Sequence, residues 1–298
     1  MLQVRVAATS ANLGPGFDAL GIALGLDLSV VVSPAEHDRF TYRGDGHLPD
    51  SPHNLVHQGF RAVYHELDLE PPRVAFDADN PIPLARGLGS SSAALVAGAA
   101  LADAMLGERL GRDAVFRLVA RLEGHPDNVA PAVFGGFTVS AADAAGAFVS
   151  ASLPLPPRWR LLFGAPDFEL PTAKARAVLP SSYPRSDAVR TSARAAMWAL
   201  AVADDRPELL RVASLDVLHE PYRAPLVPKL TACRAALREV GAFAAYLSGA
   251  GPTLGVITDD ARAEVCRALL TDFAGPGGRV LDLPAGQGYR VGEAAPPG

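Results

Sequence analysis

Lysine is almost missing from this chain: Lys174 and Lys229 are the only two among 27 basic residues. A Walker-type phosphate loop needs a lysine after its last glycine, so any phosphate site here is built another way. Cysteine is equally scarce. Cys233 and Cys266 allow at most one disulfide and no cysteine metal cluster, and both are expected as reduced core thiols. No run approaches 18 apolar residues without Gly, Pro or charge, so no membrane partner is expected. Basic excess is missing too. A net charge of −5 and a pI near 5.8 weigh against a nucleic-acid partner. The sequence opens directly on an alternating strand with no secretory leader, which points to a cytoplasmic protein.

At 298 residues and 49% hydrophobic content, there is material for one large domain or two closely packed ones. The stretch that organises it runs from Pro81 through Pro83, Arg86, Gly87, Leu88, Gly89, Ser90, Ser91 and Ser92 into an alanine-rich segment that reads as a helix. Glycines allow close backbone approach, and first-turn N–H groups with the helix dipole favour an anion. A polyphosphate suits that point. The plainer alternative is a capped helix with Ser90 as N-cap.

Strands are expected at 2–8, 22–33, 39–43, 73–77, 159–165, 241–247, 254–258 and 279–283. Helices are expected from Asn54 to Leu67, Ser91 to Leu106, 112–122, 187–204 with Val189, Ala193, Ala196, Met197 and Leu200 as its buried face, 209–214, 226–240 and 261–272. The pattern is α+β. A composition shift over 141–158 places a domain boundary near 155, giving segments 1–155 and 156–298, and 292–298 reads as a disordered tail. Glu123 closes a helix, where the dipole disfavours a carboxylate, so a compensating cation is expected beside it.

Three further blocks accompany the Gly-Ser loop: Ser10 to Gly21, with Asn12, Gly14, Gly16, Phe17 and Asp18; Glu123 to Pro131, with His125, Asp127 and Asn128; and Leu247 to Thr253, with Gly249. Together the four resemble the signature blocks of the GHMP small-molecule kinases, in particular the homoserine kinase branch, over nearly the whole chain. That resemblance implies a first domain like domain 2 of ribosomal protein S5 and a ferredoxin-like second domain. It implies ATP and Mg²⁺ as cofactors and L-homoserine as acceptor, with a homodimer left open. By the same resemblance Asn54, Pro83, Arg86, Gly87, Leu88, Gly89, Ser90, Ser91 and Ser92 contact the nucleotide. Ser91 and Glu123 hold the metal, although Ser92 stands where alanine is usual and makes the choice of serine open. Asn12, Asp18, His125, Arg176, Arg223 and Gly249 bind the acceptor, and Asp18, Asp127 and Asn128 serve the reaction. Asp127 is open to two roles, a base for the hydroxyl proton or a positioning anion.

Arg176 and Arg223 suit a carboxylate because the guanidinium fork matches it. A sugar, mevalonate or diphosphocytidyl alcohol kinase of the same superfamily shares the Gly-Ser loop, and differs in the residues around 10–18, 125–128, 176 and 223. An RNA-binding module is the alternative from another class, opposed by the acidic pI and the complete phosphate loop.

Overall fold

Side-chain alternation and glycine spacing set out two β-sheets, and the computed structural model describes residues 1–46, 48 and 54–294 of the chain. The first half contains β1 (Leu2–Ala11), β2 (Leu20–Pro34), β3 (Arg39–Gly44), α1 (Leu55–Glu66), β4 (Val74–Asn80), α2 (Ser90–Met105), α3 (Arg112–Glu123), α4 (Val129–Phe134), β5 (Phe137–Ala142) and β6 (Phe148–Leu153). The second contains β7 (Arg160–Ala165), α5 (Thr172–Ala177), α6 (Arg185–Ala203), α7 (Leu210–Ala213), α8 (Glu220–Arg223), α9 (Leu230–Glu239), β8 (Ala244–Leu247), β9 (Leu254–Thr258), α10 (Asp260–Ala274), β10 (Arg279–Leu283) and β11 (Arg290–Glu293).

Sheet one runs β11-β1-β2-β4-β3, with β5 also on β2 and β6 on β5. At 15 residues β2 serves three neighbours: β1 lies along one edge, while on the other Leu20–Ile22 pair with β5 and Ser29–Pro34 pair with β4. The four-stranded sheet runs β10-β7-β9-β8, all antiparallel. Helices lie between β7 and β8 and between β9 and β10, which is the ferredoxin-like split βαβ arrangement.

Helix α2 is buried on nearly every side because its side chains are small. Where it crosses α1, a Cβ on Gly59 would lie 2.0 Å from the Leu95 carbonyl and one on Gly98 1.9 Å from that of Val56, so the two backbones touch. This packing fixes the start of α2, and with it the Gly-Ser loop. Trp198 ties the halves together, stacked on Phe137 at 6.2 Å and edge-on to Tyr246 at 6.0 Å.

Several expectations change. The stretch 141–158, read from its composition shift only as holding a boundary, carries strand β6, and β11 takes up Gly292 and Glu293 of the expected tail by pairing with β1. Residues 295–298 lie outside the described residues. Residues 226–240 give a shorter helix, because Pro228 and left-handed Lys229 (φ 62°) precede its start at Leu230. On α6 the buried side chains are Trp198, Ala201 and Val202, whereas Val189 and Leu200 are 64% and 56% exposed. Among the described residues no helix is long and apolar enough to cross a membrane.

Candidate active site

A single cavity of about 620 Å³ collects residues from all four sequence blocks. One end is apolar, lined by Leu28, Phe40, Tyr42, Leu55 and Ala78. Asn54 borders it as the N-cap of α1, its Oδ1 accepting from His57 N at 3.0 Å. Its cap and its place on the cavity wall are compatible.

The Gly-Ser loop crosses the middle. Gly89, not Ser90, is the N-cap of α2, at φ 71° and with no side chain capping the helix. Among the described residues the N–H groups of the first turn therefore have no capping side chain, beside a cavity that Gly87 through Ser91 line. These glycines have a second duty. A Cβ on Gly89 would lie 1.9 Å from Thr9 Oγ1 and one on Gly87 2.2 Å from the Ser248 carbonyl, so the loop is pressed on the strands behind it. Leu88 buries its side chain in the core while Thr9 N donates to its carbonyl. Pro83 is a buried apolar wall, and Asn80 Nδ2 donates to Ser90 Oγ at 3.1 Å. Arg86 lines the cavity with its guanidinium 3.2 Å from Asp167.

Glu123, the last residue of α3, receives both neighbouring hydroxyls on one oxygen: Ser91 Oγ at 2.9 Å and Ser92 Oγ at 3.0 Å. Ser91 lines the cavity and Ser92 is fully buried. Three oxygens thus converge where an Mg²⁺ ion would find hard ligands, and the donor set fits that ion.

The other end carries charge of both signs. Arg176 grips Asp18 through two hydrogen bonds of 3.0 and 2.6 Å, and that grip raises the proton affinity of Arg176. Arg223 is 1% exposed and has Nε on the Ala175 carbonyl and Nη1 on the Gly249 carbonyl at 3.1 Å. Burial first, then the charge of Arg176, pushes its pKa down to about 10. Both guanidiniums lie over Phe17, at 5.3 and 5.2 Å. Asn12 spans the loop: Oδ1 accepts from Asp18 N and Nδ2 donates to the Gly249 carbonyl.

Asp127 sits between the two ends, 2% exposed, its Oδ1 taking His125 Nδ1 at 2.6 Å and Asn128 N at 2.9 Å. For His125, burial disfavours charge but is outweighed by that bond and by the charges of Asp127, Asp18 and Glu123, so the pKa of the imidazole is held above its ordinary range. Asn128 Oδ1 accepts from Thr9 Oγ1 at 2.9 Å, which turns its Nδ2 donor toward the Asp127 side, 3.5 Å from Asp127 Oδ1.

The chain matches two family models, the GHMP kinase N-terminal domain over residues 54–136 and the GHMP kinase C-terminal domain over 177–274. It is 50% identical to a homoserine kinase of Thermus thermophilus over 96% of this chain and 97% of that one. A homoserine kinase of Moorella thermoacetica is 41% identical over 93% of this chain and 94% of its own. The chain belongs to the homoserine kinase family of GHMP kinases. Its structure matches a homoserine kinase from Cytophaga hutchinsonii with a TM-score of 0.86 and 25% identity, over 97% of this chain and 96% of that one.

Against this family's framework the expected residues line one cavity except for Ser92, which is buried beside it, and not all of the others reach it by side chain. Leu88 and Gly249 present backbone, and the amide of Asn12 is spent on protein groups. Phe17, Thr9 and His219 were not among the expected site residues. Phe17 lies inside the first block, next to Asp18, and that position is the available signal; its two arginines, like the partners of Thr9 and His219, come from long sequence separations that spacing does not reveal.

Proposed function

We propose that the protein transfers the γ-phosphoryl group of ATP to the side-chain hydroxyl of L-homoserine, giving O-phospho-L-homoserine for threonine synthesis. The carrying observation is the charged end of the cavity, where Asp18, Arg176 and Arg223 surround Phe17 within reach of the Gly-Ser loop. An amino acid is a zwitterion, and this end offers an anion for its ammonium and guanidiniums for its carboxylate. A sugar or mevalonate acceptor has no use for that pairing.

The adenine and ribose fit the apolar end by Asn54, and the triphosphate fits the loop from Pro83 to Ser92, with Arg86 the cationic side chain there. Mg²⁺ held by Glu123 with Ser91 or Ser92 would neutralise triphosphate charge. In the transfer the homoserine oxygen forms a bond to the γ-phosphorus while the bond to the β-phosphate oxygen breaks and ADP leaves. Asn128 Nδ2, aimed by Thr9, donates to the acceptor oxygen and leaves its proton turned toward the phosphoryl group. A loose transition state lets that proton leave late. Asp127, its Oδ1 already taken by His125 Nδ1 and Asn128 N, acts as a positioning anion. We also assign the two halves a boundary near residue 155, with β11 returning to the first, and leave a homodimer as the assembly to test.

An ADP-release assay across homoserine, serine, mevalonate and galactose tests the reading. Homoserine should exceed mevalonate and galactose by at least about 10⁴-fold in kcat/KM, the scale that buried polar recognition supplies, and serine, one methylene shorter, by about 10–200-fold. Equal turnover of mevalonate or galactose would overturn it.

A further inference from the structure

His219 opens α8 from a fully buried position and contacts three parts of the acceptor end at once. Its Nδ1 lies 3.1 Å from Arg223 Nη1, and its Nε2 lies 2.9 Å from the Gly14 carbonyl, in the loop that carries Asp18. The ring stacks on Phe17 with centroids 5.3 Å apart. A guanidinium can only donate, so Nδ1 must accept, and Nε2 must carry the hydrogen that goes to Gly14. One tautomer of the neutral ring satisfies both bonds. Burial above all holds the ring neutral, with its pKa pushed down to about 4; Arg223 and Arg234 act the same way and Asp216 opposes them. The Asp216 carboxylate, 3.6 Å from Nε2, is engaged by the backbone N–H groups of Leu218, His219 and Glu220.

Arg223 is thus fixed by acceptors on three segments: Ala175 at Nε, with Gly249 and His219 sharing Nη1. Its Nη2 has no hydrogen bond among the described residues, and the side chain lines the cavity. We infer that His219 is a positioning residue for the amino-acid substrate: it sets the plane of the Arg223 guanidinium so that Nη2 faces the carboxylate, and it ties the Gly14 to Asp18 loop to the same point. This rests on the reading of Arg223 as the carboxylate holder.

Two variants separate the bonds. His219→Asn keeps an acceptor near the Nδ1 position, and His219→Gln keeps a polar group near Nε2 while losing that acceptor. His219→Gln should raise the KM for homoserine about tenfold, the loss expected for one hydrogen bond to a charged group, with the KM for ATP within about twofold of wild type. His219→Asn should stay within about threefold for both substrates. In a double-mutant cycle, His219→Gln should add little to Arg223→Leu, because the two act as one unit. Both His219 variants should melt cooperatively near the wild-type temperature.

Loss of folding in either variant, an equal rise for both substrates, or a fully additive cycle would make His219 a structural residue and overturn the inference. Arg223→Leu alone reports on the underlying reading. If it leaves the homoserine KM unchanged, the carboxylate assignment fails; if it raises that KM while His219→Gln does not, only the role of His219 fails.

Discussion

Glu123 places a carboxylate at the C-terminal end of a helix, where the dipole repels negative charge, and the structure shows what it faces there: two serine hydroxyls donating to one oxygen. Those hydroxyls relieve part of the repulsion, and a bound cation would relieve the rest. Glu123→Gln keeps the shape and an acceptor oxygen while removing the charge. Turnover should fall about 100-fold and need more Mg²⁺ to saturate, while the melting temperature moves by no more than about 2 °C for a partly exposed helix-end group. Normal turnover across an Mg²⁺ titration would leave Glu123 as a helix-end carboxylate with no part in the reaction. At this scale the sequence was informative about residue type and silent about pairing. Asp18 and Arg176 were both singled out by the family resemblance, yet nothing in their spacing of 158 positions shows that each hydrogen-bonds the other.

Elements were legible where side-chain size and polarity differ along them. Strand β2 and helix α1 follow their expected ranges closely, with Asn54 as the cap of α1. Alanine carries little directional signal, so the buried face of α6 was assigned to Val189 and Leu200 when Trp198 anchors the opposite side. Strands β6 and β11 escaped because each gains its partner from elsewhere in the chain rather than from a strong pattern of its own. The short α8 stores two opposed titrations that also left no trace in the pattern. His219 is shifted down, from 6.5 to about 4, chiefly by burial. Its contribution to stability is complete above about pH 6.5 and is lost as pH falls through 4, because the unfolded chain takes up the proton first. Glu220, buried against Arg234 and bonded to Leu247 N, is shifted up from 4.5 to about 7, again chiefly by burial. Its contribution is complete below about pH 4.5 and is lost as pH rises through 7. Between about pH 4.5 and 6.5 the two slopes cancel. Urea midpoints of His219→Asn should therefore fall, relative to wild type, as pH rises across that window, and those of Glu220→Gln should rise. Parallel profiles in all three proteins would remove α8 from the pH response.

At the scale of the whole molecule, the active site is also the joint. Ser248, fully buried after β8, shares a 2.7 Å hydrogen bond with Ser10 of β1 and donates to the Gly87 carbonyl at 2.7 Å. The next residue closes the other side, with Gly249 N on the Ala11 carbonyl and its own carbonyl taking Asn12 and Arg223. One short turn of the second half therefore grips the loop that carries Asn12 and Asp18 and the Gly-Ser loop together. The gap between reacting groups is set by this turn rather than by either half alone, since a shift of about 1 Å between bound reactants is enough to cost two orders of magnitude in rate. Ser248→Ala removes the common hydroxyl, leaving the Gly87 carbonyl without it and Ser10 with Tyr246 at 3.4 Å as its side-chain contact. The loss of two buried bonds should lower stability by about 1–3 kcal/mol, read from the urea midpoint. Its kinetic mark should differ from that of an arginine at the acceptor end: the KM values for ATP and homoserine should rise together and kcat should fall. Arg223→Leu should instead raise the homoserine KM with little change for ATP. A Ser248→Ala enzyme that lost affinity for one substrate alone would show that the two loops hold their places independently, and that the joint lies in the shared core around Trp198 instead.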